Sequence, residues 1–156
     1  MGDGGVTHYY LQTSANVVVV GCAAVDITAQ ELPDTNAALA HHSTAPGHVK
    51  LSLGGVGRNV AEATHRVMES MYPSLSSLLI APVGEDAFGR VLSEGLNDLG
   101  MRTDGLLKFA EESAVCNLVL DSNGSLVGGI ADMGINAQMS AEAVRDVSAF
   151  PVFHSH

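Results

Sequence analysis

The sequence has no tryptophan and little cationic charge. Lys and Arg total 7 against 17 Asp and Glu, a formal net charge of −10. A surface that acidic repels phosphate backbones and anionic lipid, which argues against nucleic acid and membrane surfaces as partners. Long apolar runs are missing too. The longest, Val17 to Val25, is far too short to cross a bilayer. Residues 1–13 hold no cationic stretch followed by an apolar one, so no secretory signal is expected. Met1-Gly2 is followed by Val6 where myristoylation requires Ser or Thr. A cytoplasmic location is the expectation. Cysteine is scarce: Cys22 and Cys116 each sit in an apolar run, without C-x-x-C or zinc spacing. Two buried, reduced thiols are expected, as in a reducing compartment. The histidines (His8, His41, His42, His48, His65, His154, His156) fall in loops, a terminus or amphipathic elements, none with a partner at ligand spacing, and no metal site is assigned. Walker A, G-x-S-x-G and H-E-x-x-H motifs are absent.

What is present is globular. Hydrophobic residues make up 46% of the 156, enough for one domain with a real core. Residues 1–15 are polar and Gly-rich and read as a loose lead-in. Val17 to Val20 is an unalternated β-branched run, the pattern of a strand buried on both faces. It places Asp26 just beyond the strand's C-terminal end, the edge where ligands bind in open α/β sheets. Residues 28–47 carry Pro33, Asp34, Asn36, Pro46 and Gly47 with little periodicity and read as a long loop. His48 to Leu53 alternates, with Val49, Leu51 and Leu53 on one side, as a half-exposed strand does.

After Gly54 to Asn59 the period turns helical, with Val60, Ala63, Val67 and Met71 as the expected inward stripe, widened by Ala61, Thr64 and Met68. Tyr72-Pro73-Ser74 stops that helix. Leu78 to Val83 is a second buried strand. A second helix runs from about Ala87 to Leu99, with Phe88, Val91, Leu92, Leu96 and Leu99 inward and Gly100 as its C-terminal stop. Leu106 to Phe109 reads as a short strand. Two further strands, Ala114 to Asp121 and Ser125 to Ile130, flank an Asn123-Gly124 hairpin turn. Ser140 caps a last helix reaching about Val147. The β-α alternation predicts an α/β fold with a mostly parallel sheet flanked by helices and a small β lid. Strand 48–53 and the hairpin should form that lid.

Two elements could carry chemistry. Gly54-Gly55-Val56-Gly57-Arg58-Asn59 joins a strand to a helix N-terminus. Glycine lets a backbone approach a ligand closely, and first-turn N–H groups can bind oxygen atoms. Asn59 both donates and accepts, which suits a sugar diol. The same turn could also be purely structural. Asp26 is acceptor-only and could take two sugar hydroxyls, or it could be an exposed loop acid or an N-cap.

Taken in order, Asp26, the Gly54-Gly55-Val56-Gly57-Arg58-Asn59 turn and the segment Val83-Gly84-Glu85-Asp86-Ala87-Phe88-Gly89 resemble the signatures of the PfkB, or ribokinase-like, carbohydrate kinases. The likeness covers about Val17 to Val147. Within the family the chain looks most like the pseudouridine kinase branch, which typically reads Gly-Gly-Val-Ala-Arg-Asn-Val-Ala-Glu; here Gly54 to Glu62 departs only at Gly57. Gly129-Ile130-Ala131-Asp132-Met133 is similar to that branch as well. Ribokinases proper usually have Lys where Val56 stands.

The resemblance implies ATP- and Mg²⁺-dependent phosphorylation of a sugar or nucleoside hydroxyl, often in a homodimer whose lid strands clasp. It implies Asp26, Gly54, Gly55, Gly57, Arg58, Asn59 and Asp132 as substrate-binding residues. The family's Gly-Ala-Gly-Asp turn, whose Asp is the catalytic base, does not occur in these 156 residues. The expectation is therefore a partial domain over 16–150, the substrate-binding half, followed by a truncated tail over 151–156. Such a chain would be an inactive fragment or short form whose base and ATP and Mg²⁺ sites lie elsewhere. A binding or lid-mediated dimerisation module is the alternative.

Overall fold

The computed structural model describes residues 15–33 and 44–147. The lead-in (except Ala15), the tail, and the middle of the loop expected over 28–47 lie outside the described residues. The elements run β1 (Val17–Val20), β2 (Ala24–Glu31), β3 (Gly47–Gly54), α1 (Val56–Met71), β4 (Ser77–Gly84), α2 (Ala87–Asp98), β5 (Leu106–Phe109), β6 (Val115–Leu120), β7 (Leu126–Asp132), a short 3-10 helix (Gly134–Gln138) and α3 (Ala141–Val147). No described helix is long and apolar enough to cross a membrane.

Two sheets form. The first is parallel, with order β1-β4-β5, and Val18 pairs with Leu78. The second has order β3-β2-β6-β7, in which β2 runs antiparallel to β3 and parallel to β6, and β6 antiparallel to β7. The core lies between them. Leu92 and Leu96 of α2 pack with Leu79, Ala81 and Val83 of β4, Val25 of β2 and Ala61 of α1. The mixed second sheet is the expected lid. Its hairpin closes through Asp121, whose Oδ1 accepts from the N–H groups of Asn123 (2.9 Å) and Ser125 (2.8 Å), with Gly124 at φ 82°. Ser140 caps α3 by accepting from the Ala143 N–H at 3.1 Å.

Several expectations fail, each for a non-local reason. β1 is not buried on both faces: Val17, Val18 and Val20 are 36, 43 and 50% exposed. Only Val19 turns to the core, and β1 is an edge strand paired with β4 alone among the described residues. The loop expected from residue 28 begins at Leu32, because β2 continues to Glu31 with ladder bonds to β3 on one side and β6 on the other. In β3 only Leu53 reaches the core, where it packs so closely on α2 that a Cβ at Gly95 would lie 2.6 Å from it. Val49 and Leu51 stay exposed. In α2, Val91 faces out rather than in. Both cysteines are half-buried and free rather than fully buried.

The largest departure is the phase of α1. Val60, Ala63, Val67 and Met71 are exposed, whereas Gly57, Arg58, Ala61 and Met68 are buried. The helical period is right, and Ala61 and Met68 of the widened stripe are buried as expected, but the stripe is rotated away from Val60, Ala63, Val67 and Met71. Gly57 sets that rotation: a Cβ on it would stand 2.7 Å from the Gly21 backbone and 2.9 Å from the Cys22 nitrogen. The helix crosses the β1–β2 connection at a distance only two glycines allow, and this points position 57 inward.

Candidate functional site

The Gly-rich turn follows β3 directly. Gly55 holds φ 92°, in the left-handed region that favours glycine, and a Cβ there would lie 2.6 Å from the Cys22 carbonyl oxygen. The turn is thereby pressed onto residues 22–24 and delivers α1 beside the start of β2. The first-turn N–H of Arg58 is taken up by the Cys22 carbonyl at 3.0 Å, so it is not open to a ligand.

Asp26 lies beyond the end of β1, but inside a second strand, two residues from the start of β2. It pairs with Ser52, and Ala24 pairs with Gly54. Its half-exposed carboxylate reaches over Gly54 so closely that a Cβ at Gly54 would overlap it. Glycine at 54 is therefore what leaves room for the carboxylate beside the turn. Asp26, Gly54 and Gly55 come together as one wall.

Arg58 is buried, at 8% exposure. Its Nη1 donates to the Leu53 carbonyl at 3.0 Å and to Asn59 Oδ1 at 2.8 Å, and its Nη2 pairs with Glu62. Arg66 Nε donates to the other Glu62 oxygen at 2.8 Å. Arg58 is thus committed within the fold, while Asn59 is exposed on the first turn of α1.

Asp132 is not on the Asp26 wall. Paired residues in a ladder share a face. Asp26 pairs with Cys116 and Cys116 with Ala131, whereas Asp132 pairs with Val115 and Val115 with Val25. Asp132 therefore lies on the opposite face of the lid sheet. There it lines a cavity of about 450 Å³ with Ile27, Phe88, Ser113, Val115 and Asn117. Asn117 was not singled out from sequence; a polar residue within the apolar run of β6 was the available signal.

The Val83–Gly89 segment forms a latch. Asp86 caps α2: its Oδ1 accepts from the Gly89 N–H at 2.7 Å and from the Ser113 hydroxyl at 2.8 Å, and its Oδ2 accepts from the Ser113 N–H at 2.8 Å. The Ser113 hydroxyl in turn accepts from the Gly84 N–H at 2.8 Å. The end of β4, the start of α2 and the approach to β6 meet at one carboxylate. Burial pushes the Asp86 pKa up, but the hydrogen bonds from Gly89 and Ser113 outweigh it and hold the group below its ordinary value. Ser113 was not read from sequence, where nothing marks it.

Asp86→Ala should destabilise the fold by about 1–3 kcal/mol, from a lost helix cap and the unpaired N–H of a buried Ser113. A depressed folded pKa contributes stability that is complete above the unfolded value. It is lost as pH falls through the folded one. Urea unfolding of both proteins should therefore show a gap at neutral pH that narrows in acid below about pH 4. A gap independent of pH would remove the charge from this account.

Residues 14–150 match the pfkB family carbohydrate kinases. Over 127 residues the chain is 30% identical to the pseudouridine kinase of Escherichia coli (strain K12), spanning 81% of this chain and 37% of that protein. Over 121 residues it is 29% identical to the pseudouridine kinase of Arabidopsis thaliana, spanning 77% of this chain and 28% of that protein. The fold is similar to a putative sugar kinase from Clostridium perfringens, with a TM-score of 0.72 and 26% identity over 86% of this chain and 40% of that one. The chain therefore spans between 28 and 40% of the length of these relatives. With the ribokinase-like fold, the glycine turn and the family match in agreement, the chain belongs to the pfkB family of carbohydrate kinases.

Proposed function

We propose that this chain supplies the sugar-binding half of an ATP-dependent kinase that phosphorylates a ribose hydroxyl of pseudouridine. The observation that carries the reading is the Asp26 carboxylate held over the Gly54-Gly55 turn, with Asn59 one helical turn further on. Asp26 accepts from sugar hydroxyls, Gly54 leaves room for that carboxylate beside the turn, and Asn59 supplies the amide. Identity of 30% to a pseudouridine kinase supports that nucleoside over free ribose.

ATP and Mg²⁺ would supply the transferred phosphoryl group and its charge neutralisation. Among the described residues no group of three His, Cys, Asp or Glu side chains is placed to hold a metal ion. The reading assigns both to the part of the kinase this chain does not span. A purified sample with ATP, Mg²⁺ and pseudouridine should form no phosphorylated product. Titration with millimolar pseudouridine should shift the amide signals of Asp26, Gly54, Gly55 and Asn59. Turnover that disappears in Asp26→Ala would overturn the division of labour, and an unperturbed Asp26–Asn59 region would overturn the sugar site.

A second reading is favoured by exposed apolar residues on the lid strands, Val49, Leu51, Leu126, Val127 and Ile130. In it the chain is a nucleoside-binding or dimerisation module without catalysis, pairing through its lid. Sedimentation should then give a dimer that Ile130→Glu dissociates.

A further inference from the structure

We infer that Arg58 is a positioning residue that turns the Asn59 side chain so that it meets the ligand as a hydrogen-bond donor. This rests on the sugar-binding reading of the turn and adds a rule for which ligand atom the turn accepts. A guanidinium has donors only, so the Asn59 atom 2.8 Å from Arg58 Nη1 must be the carbonyl oxygen. The amide NH₂ is then on the far side of the planar group, at an exposed position of the first helical turn.

The second observation is the way Arg58 is held. It is 8% exposed, and its fork reaches the Leu53 carbonyl, Asn59 and Glu62. Its Nε is buried with no hydrogen-bond partner among the described residues. A buried ion with an unmet donor is a poor way to stabilise a helix, because an apolar residue of like volume often does better. What the arrangement does supply is geometry. Glu62 anchors one nitrogen, Arg66 braces Glu62 from outside, and the Leu53 carbonyl fixes the other nitrogen at the base of the glycine turn. The one bond left over from Nη1 goes to Asn59.

The consequence is selective. Asp26 can only accept, and Asn59 so turned presents donors. The pair fits a vicinal diol in which one hydroxyl donates to Asp26 and its neighbour accepts from Asn59. A ligand offering two donors to this turn would leave the Asn59 NH₂ facing a donor, and it should be rejected.

Three measurements on the whole chain decide the matter. The first needs no ligand. In Arg58→Met the Asn59 side-chain NH₂ signals should move to those of a freely solvated amide; unchanged signals would overturn the inference. Glu62 keeps Arg66 as a partner in this variant, and urea unfolding would report any loss of the fold.

The second uses Asn59→Asp, an exposed change that keeps the bond to Arg58 and removes the donor. With pseudouridine as the probe, it should weaken binding about as much as Asn59→Ala, roughly tenfold or more. Wild-type affinity in Asn59→Asp would overturn the donor assignment.

The third is a double-mutant cycle. Arg58→Met should weaken binding in the wild-type background and have little further effect in Asn59→Ala. A purely structural Arg58 would cost the same in both, which would overturn the inference and leave the sugar site standing. An Asn59→Ala protein that binds like wild type would instead overturn the sugar-site reading itself.

Discussion

Asp26→Ala should weaken pseudouridine binding by about tenfold to a hundredfold, the loss expected when one partner of a charge-assisted hydrogen bond is removed. The fold should survive it. Asp26 is half-exposed, its neighbours Ala24 and Val25 do the packing, and no described hydrogen bond holds its carboxylate in place. A carboxylate kept beside a glycine turn with no donor among the described residues is available to hydroxyls. Asp26→Asn is the informative companion, because it preserves shape and removes half the acceptor capacity. Chemical-shift titration or calorimetry reads both. Unchanged affinity in Asp26→Ala would mean the Gly54 wall does not face the sugar.

Gly55→Ala should cost the fold about 2–6 kcal/mol, measured as a shift in the urea midpoint. Two effects add. A non-glycine residue at φ 92° is strained by roughly 1–3 kcal/mol. The new Cβ would also stand 2.6 Å from the Cys22 oxygen and 2.8 Å from the Ala23 Cα, both backbone atoms, which adds roughly 1–3 kcal/mol of overpacking. A loss well under 1 kcal/mol would show that the turn relaxes and that its close approach to residues 22–24 is not enforced.

Much of this was legible in the chain. Apolar periodicity located β4, α1, α2 and the β6–β7 hairpin within a residue or two, since these depend on local pattern and turn chemistry. The glycine turn was legible because a positive φ and a close backbone approach leave few alternatives to glycine. What escaped depended on partners distant in sequence. Thr28 to Glu31 looks like loop composition, yet two neighbouring strands hold it in a ladder. The phase of α1 depends on Gly21, more than thirty positions earlier, meeting Gly57. The separation of Asp132 from Asp26 passes through two successive ladders, and a one-residue change of register in either would reverse it. Arg58 read as a ligand residue because it stands within the motif. Its bonds to Leu53, Asn59 and Glu62, made only once the chain is folded, are what show its contacts to be internal.

The parallel pairing of β2 with β6 also bears on how the chain acquires its shape during synthesis. Val25 pairs with Val115, so the strand carrying Asp26 cannot complete its sheet until most of the described chain has been made. At ribosomal speeds of about 5–20 residues per second, that leaves β2 waiting on the order of ten seconds with one edge open. During that interval it has β3 as a partner, joined to it by the segment between Glu31 and Gly47. The nascent lid should therefore persist as a two-stranded ribbon, marginal in water and open to capture by chaperones, until β6 emerges.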